Sequence, residues 1–448
     1  MKTKKFKLFD AILAMVCVIL VTEACAPTAA IGNSQYFWWI FLLIFFFVPY
    51  GLISCELGTT YKDEDGIFVW VKRAFGNKWA SRVSFYYWVN FPIWIASVTV
   101  LMISILEKML ALSFSLPIKF LIEIIFICLV CLLGMTRLSK HKILINIGTV
   151  LKVILMLGLG VIGIYIAITK GSATTFELKS FFPEWNFQSL SYLSVIVFNF
   201  IGFEILATFR HQVKNPKKQF PIIILVSGLL ISLFYMLASF GLSVAIPKEQ
   251  LSLETGLIES YEILLGINGG VVIDIISIMF IITLFVSLLS WCEGVALETK
   301  AASEIGGLPK IFSYQTKKGY LVGSNLITFL TSVLIILTEP FINSDVFWNF
   351  FALNLITLLL TYLPMFLAFL VLREKDKDIK RPYKVPGNKL IISLFAYIPT
   401  IILILAIILT LLPSTFTIAG IREKVSIMIG TILSIIICEV LTLKVKEK

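Results

Sequence analysis

The chain has 448 residues, of which 58% are apolar and 15% charged, with a mean hydropathy of +0.96 and a formal net charge of +11. A soluble globular chain carries roughly 45–50% apolar and about 25% charged residues. The composition therefore excludes a chain of soluble domains, a disordered chain and a disulfide-stapled secreted scaffold. Apolar runs long enough to cross a bilayer recur from end to end, so an all-α, multi-pass integral membrane protein is expected, with the lipid bilayer as its main partner.

In chain order the predicted spans are 9–31, 36–59, 79–106, 118–136, 143–169 and 187–209, then 219–246, 266–298, 320–338, 345–372, 389–413 and 425–443. Each of these twelve segments can cross about 30 Å of hydrocarbon as a helix. The basic N-terminus, MKTKKFKLFD, resembles a signal peptide, but no convincing cleavage site follows Cys25, and so many later spans do not suit a secreted protein. With the N-terminus in the cytoplasm, 30 of the 38 Lys and Arg fall on the inner side, 7 on the outer side, and Lys152 inside the fifth span. That asymmetry predicts twelve spans with both ends cytoplasmic, and it explains the net charge without nucleic acid. The loop 60–78 is predicted to hold a short amphipathic helix, 372–389 to be a charged connector, and 247–265 to be too polar to span. The seven Cys and two His show no metal-ligand spacing, so no metal and no cofactor is expected, and the Cys read as small core residues.

Charge inside hydrocarbon is costly, so each intramembrane ionisable residue is a functional candidate. Glu23 lies in the first span, in LVTEACAPTAAIG, with Pro27 one turn on. Proline frees a backbone carbonyl and breaks or kinks a helix, and an anion beside free backbone suits a cation site. A Glu paired with another helix, or held neutral, is the plainer alternative. Glu204 lies in the sixth span beside Gly202, a second candidate break. It suits gating or proton-linked work, or simply a neutral carboxyl bonded to a neighbouring helix. Lys152 is too deep to reach water easily; it suits a stand-in for a bound monovalent cation, or a structural pair. Glu293 ranks lower, and Glu123, Asp274 and Glu439 read as structural. Trp38, Trp39 and Trp348 sit near span ends as expected interface anchors. Phe198, Trp94 and Trp291 lie deeper, where a ring can cover a cation or simply pack. Gly158 and Gly160 are too generic to define a lipid-facing packing motif, and nothing reads out an oligomeric state. No nucleophile–base pair or phosphate loop is present, so an enzyme is not expected.

Four segments carry a family resemblance. They are ELGTTYKDEDGIFVWVKRAFGNKWA (56–80), FNFIGFEILATFRHQVKNPKKQFP (198–221), SWCEGVALETKAASEIGGLPKIF (290–312) and LREKDKDIKRPYKVPG (372–387). In this order they resemble the amino acid–polyamine–organocation (APC) transporter superfamily. The resemblance implies two five-helix inverted repeats, spans 1–5 (residues 1–170) and 6–10 (187–372), with two added helices (389–443), in a single transporter domain. It also implies that spans 1 and 6 are discontinuous, with substrate held at their breaks. By the same resemblance, Phe198 is a gating aromatic, Glu204 the family's frequent glutamate, Trp291 the aromatic under the substrate, and Lys152 the replacement for a coupling sodium.

The first span departs from the pattern. Amino-acid carriers of the superfamily usually have Gly-Ser/Thr-Gly there, whose N–H groups receive the substrate carboxylate. This chain reads LVTEA (20–24), without glycine and with Glu23. A carboxylate substrate would meet like charge at low dielectric, so an amine without a carboxylate is favoured. The expectation is a secondary transporter in the cytoplasmic membrane for putrescine, agmatine or a similar cationic amine, working by alternating access, either coupled to protons or as a precursor–product exchanger. Glu23, Asn90, Trp94, Phe198, Glu204 and Trp291 would bind substrate, with Glu204 and Lys152 coupling or gating. An amino-acid antiporter of the same superfamily is the alternative, and a channel a remote one.

Overall fold

A computed structural model describes the chain except residues 1–7, 62–65, 137, 184, 186, 205–214, 305, 343–344, 414 and 446–448. The described residues are helical, with no strand among them. The helices are α1 (Leu8–Ile19), α2 (Cys25–Ala29), α3 (Gln35–Leu42), α4 (Val48–Thr60), α5 (Ile67–Phe75), α6 (Asn77–Leu110), α7 (Leu116–Gly134), α8 (Lys142–Thr169) and α9 (Phe187–Leu190). They continue as α10 (Leu193–Asn199), α11 (Pro216–Ala245), α12 (Gly256–Leu265), α13 (Val271–Glu304), α14 (Val322–Ile336), α15 (Val346–Lys375), α16 (Lys389–Leu411) and α17 (Ile418–Thr442).

Among the described residues, ten helical segments are long and apolar enough to cross a membrane. They coincide with ten of the twelve sequence segments. The two that differ are the first and the sixth, where the chain is helical only in short pieces. α3 and α4 form one span through a π-helical turn at Leu43–Phe47. Pro49 explains it: a proline near the start of α4 has no N–H and its ring crowds the carbonyl one turn back, so the ladder widens there. The predicted amphipathic helix is α5, flanked by Gly66 and Gly76 in positive φ. The polar segment 247–265 forms a 3-10 turn, Lys248–Gln250, and then α12.

α6 packs along α15, and both are buried along most of their length; α8 packs along α11. Between α8 and α11, Gly163 meets Gly241 with no space for a Cβ, so these backbones touch. Gly158 and Gly160 also face protein, against Tyr261 and Leu237, and not lipid. The outer ring of α7, α16 and α17 leaves many Leu and Ile exposed, as a bilayer requires. The expected interface anchors are corrected: Trp38, Trp39 and Trp348 are all buried. Trp39 stacks on Tyr235 at 5.2 Å and Trp348 packs on Tyr192 at 4.4 Å, so their rings fill helix–helix seams. Six of the Cys are free thiols, and Cys17 lies among residues whose side chains are not described.

Charged latches close one end. Arg73 Nε donates to Asp376 Oδ2 at 2.6 Å, tying α5 to the end of α15. Arg373 Nε donates to the buried Glu56 at 2.8 Å, and the Val385 N–H donates to the same carboxylate at 2.7 Å. At the other end Lys108 pairs with Glu262 of α12 at 2.9 Å, and Lys119 with Glu107 at 3.1 Å.

Candidate functional site

The first span is interrupted at Leu20 and Val21. Val21 is extended (φ −127°, ψ 133°), a 3-10 turn spans Thr22–Ala24, and α2 resumes the helix. The chain therefore leaves the helix before Pro27, which sits third in α2, where its missing N–H costs little. β-branched Val21 and Thr22 suit the extended turn. The stripped backbone needs partners, and Tyr235 of α11 supplies both: its hydroxyl donates to the Val21 carbonyl at 2.8 Å and accepts the Val21 N–H at 3.0 Å. The Thr22 and Thr283 hydroxyls are hydrogen-bonded at 2.7 Å, tying the same turn to α13.

Glu23 follows this break and is 2% exposed. Trp94 of α6 donates its indole N–H to Glu23 Oε1 at 3.0 Å. Among the described residues Oε2 makes no hydrogen bond of normal geometry, although the backbone N–H groups of Thr22 and Glu23 lie within electrostatic reach of the carboxyl. Lys152 of α8 is equally buried and lies within electrostatic reach of Glu23. A buried carboxylate and ammonium each cost several kcal/mol to desolvate, and mutual attraction recovers part of it.

Beside Glu23 is a small cavity lined by Ile19, Val21, Asn90, Trp94, Phe198, Ile201, Trp291 and Leu358, about 20 Å³ in volume. That holds one water and no diamine, so the centre is closed. Three rings enclose it. Trp94 is edge-on to Trp291 at 6.2 Å and to Phe198 at 6.4 Å. Asn90, one turn from Trp94 on α6, donates its amide to the carbonyls of Tyr86 and Tyr87. Glu23 does not itself line this cavity but borders it through Trp94; an anion beside π-faces is the chemistry that receives an ammonium.

The sixth span is interrupted as well. α10 ends at Asn199, and Gly202 adopts φ +106°. That φ favours glycine, and a Cβ there would also press on the Trp291 ring at 3.3 Å. Residues 205–214 of this span, including His211, lie outside the described residues. Glu204 is 7% exposed and both its oxygens are occupied. Tyr50 of α4 donates to Oε2 at 2.5 Å and Tyr362 of α15 donates to Oε1 at 2.7 Å. The Tyr50 hydroxyl also accepts the N–H groups of Gly202 and Phe203, at 3.2 and 3.0 Å. Glu204 is thus a brace across the broken span rather than part of the cavity lining.

The structure therefore brings Glu23, Asn90, Trp94, Phe198 and Trp291 together with Lys152 behind them, and sets Glu204 apart with two tyrosines. Tyr50, Tyr235 and Tyr362 were missed by sequence reasoning. Their only signal is a hydroxyl in an apolar run, which a buried tyrosine must satisfy.

Comparison with known proteins shows the family. A family model described as amino acid permease matches residues 6–438. The chain is 42% identical over 440 residues to the probable agmatine/putrescine antiporter of Lactococcus lactis, covering 98% of this chain and 94% of that protein. It is 24% identical to a glutamate/gamma-aminobutyrate antiporter of the same species, over 92% of this chain and 85% of the relative. It is 26% identical to a probable polyamine transporter of Arabidopsis thaliana, over 84% of this chain and 75% of the relative.

Proposed function

The chain belongs to the amino acid permease family of the APC transporter superfamily, and from that premise we propose that this multi-pass membrane transporter exchanges cationic amines, agmatine and putrescine being the leading pair. The observation that carries the reading is Glu23. A buried carboxylate with one oxygen that makes no hydrogen bond among the described residues stands at the interrupted first span, where amino-acid carriers of the superfamily usually offer glycine N–H groups. An ammonium satisfies that oxygen; a substrate carboxylate would be repelled by it. Similarity to a protein named as an agmatine/putrescine antiporter supports the same choice.

In this reading the ten long helices are joined by two broken spans, residues 8–29 and 187 onward, to give twelve crossings. Residues 1–170 and 187–372 form two inverted repeats, and 389–443 add two helices in the same transporter domain. Both ends lie in the cytoplasm of a cell whose plasma membrane holds the protein. The protein works as a carrier and not as an enzyme. Substrate binds between Glu23 and the Trp94, Phe198 and Trp291 rings, with Asn90 at the wall. Lys152 supplies the fixed charge that sodium gives to other carriers. Glu204, braced by Tyr50 and Tyr362, holds the sixth-span break in the closed state and releases it as the bundle rocks.

The test is uptake of labelled putrescine, agmatine and a panel of amino acids into proteoliposomes preloaded with each candidate partner. Saturable amine exchange that needs an amine on the opposite face supports the reading. Efficient exchange of glutamate or other amino acids, with amines ignored, would replace it with the amino-acid antiporter.

A further inference from the structure

The seam between α15 and α16 opens into two crevices, one after the other. The first, about 560 Å³ in volume, is lined by Leu370, Arg373 and Glu374 of α15 and by Lys389, Ser393 and Tyr397 of α16. The second, about 640 Å³, is bounded by Leu363 and Leu367 of α15, by Thr400 and Ile404 of α16, and by Trp79 and Arg82 of α6. Both lie over the same two helix faces. Leu363, Leu367, Leu370 and Glu374 recur every three or four residues along α15, as Ser393, Tyr397, Thr400 and Ile404 do along α16, so each set forms one stripe. Leu367, Tyr397 and Ile404 are exposed, and at membrane depth such a stripe meets lipid. From Ser393 to Ile404 the helix rises about 16 Å, close to the hydrocarbon depth of one leaflet.

The crevices differ in chemistry. In the second, Arg82 Nε and Nη2 each donate to Glu439 at 2.7 Å, so its two charged residues are spent on each other and the rest of the wall is mainly apolar. In the first, Arg373 donates to Glu56 and to the Val385 carbonyl. The exposed Lys389 ammonium and the Ser393 and Tyr397 hydroxyls remain as donors at the helix end, a set that suits a phosphate ester. Glu374 opposes an anion there. However, residues 373–389 carry seven Lys and Arg against three Asp and Glu, and a basic segment at the end of a membrane helix draws anionic headgroups.

We propose that this seam binds one anionic phospholipid of the cytoplasmic leaflet. Lys389, Ser393 and Tyr397 hold its phosphate, and one acyl chain runs along Leu370 and Leu367 into the apolar crevice beside α6. The inference uses the membrane placement given under the proposed function but not the choice of substrate.

The test is lipid retention by the full chain in detergent, read by native mass spectrometry, with phosphatidylglycerol and phosphatidylcholine of matched chains titrated separately. Phosphatidylglycerol should bind about fivefold or more tightly than phosphatidylcholine, and Lys389→Gln should remove most of that preference, since one cation near a headgroup is worth about 1 kcal/mol. Leu367→Trp fills the tail crevice and should weaken both lipids; Thr400→Trp does the same from α16 and serves if the first variant folds poorly. Glycerol phosphate, which has no acyl chain, should compete for the site only weakly. Equal retention of the two lipids by the wild type overturns the proposal. So does full retention in both Trp variants, or a dimer that covers the seam and excludes lipid. Amine exchange is measured separately, so lost lipid preference with exchange intact removes this inference alone.

Discussion

Replacing Glu23 by Gln is the sharpest perturbation of the centre. Gln keeps an oxygen for the Trp94 indole, now bonded at 3.0 Å to Oε1, and nearly the same volume. What changes is the second position: Oε2, without a hydrogen bond among the described residues, becomes an NH₂ group. An ammonium there loses a negative partner and meets a donor. At about 4 Å and an effective dielectric near 20, a unit pair is worth about 4 kcal/mol. Substrate desolvation and the nearby Lys152 offset part of that, leaving about 2–4 kcal/mol. Agmatine affinity should then fall by about 30- to 1000-fold. The assay is half-saturation of agmatine exchange in proteoliposomes, beside a thermal-stability trace on the detergent-purified protein. Stability should fall somewhat, because the buried Lys152 loses the anion within its reach. An agmatine half-saturation within about threefold of wild type would refute the reasoning, since the open oxygen would then not face substrate.

Tyr235→Phe leaves the Val21 N–H and C=O without a partner in a dry seam, at about 1–3 kcal/mol each; a lower melting temperature with a weakened amine site is expected, and an unchanged melting curve would contradict the bond pair. Gly202→Ala forces a Cβ onto φ +106° and toward the Trp291 ring; strain of about 1–3 kcal/mol should abolish exchange in a protein that still inserts, as measured by counterflow on the purified variant. The Arg73 guanidinium, helped by the Tyr61 hydroxyl, holds the Asp376 carboxyl below the ordinary aspartate value of 3.8. A depressed folded-state pKa gives stability that is present above the unfolded value and lost as pH falls through the folded one. The α5–α15 latch should therefore persist at the pH where a free aspartate half-protonates and open only in more acid solution. Comparing Asp376→Asn with wild type by melting temperature across that range checks it: the gap should be full near neutral pH and close below the ordinary value.

The sequence was informative where hydrocarbon makes a residue expensive. Glu23 and Lys152 stand out in apolar runs because charge there is rare, and the structure buries both within reach of each other. The ten uninterrupted spans were visible for the same reason, since length and hydropathy alone define them. Aromatic residues were harder to read, because a ring packs equally well in a seam, at an interface or over a cation. Trp94 and Trp291 come to the cavity, while Trp39 and Trp348, expected at the membrane surface, fill helix seams. The first break was placed at Pro27 by its missing N–H, yet the chain leaves the helix at Leu20 and Val21. What permits that is a hydroxyl more than two hundred positions away, Tyr235, and no local pattern encodes it. Glu204 was grouped with the substrate for its burial and motif; its two tyrosine partners come from α4 and α15, which only the packed structure brings together.

The central claim is that the site accepts an amine and rejects a carboxylate because Glu23 occupies the place of the glycine N–H groups. Agmatine and arginine differ by that one carboxylate. Their half-saturation values in the same proteoliposome exchange assay are the direct test. We expect agmatine to be favoured by about 100-fold or more, the counterpart of about 3 kcal/mol of like-charge repulsion and desolvation. Equal use of the two, or a preference for arginine, would contradict the claim.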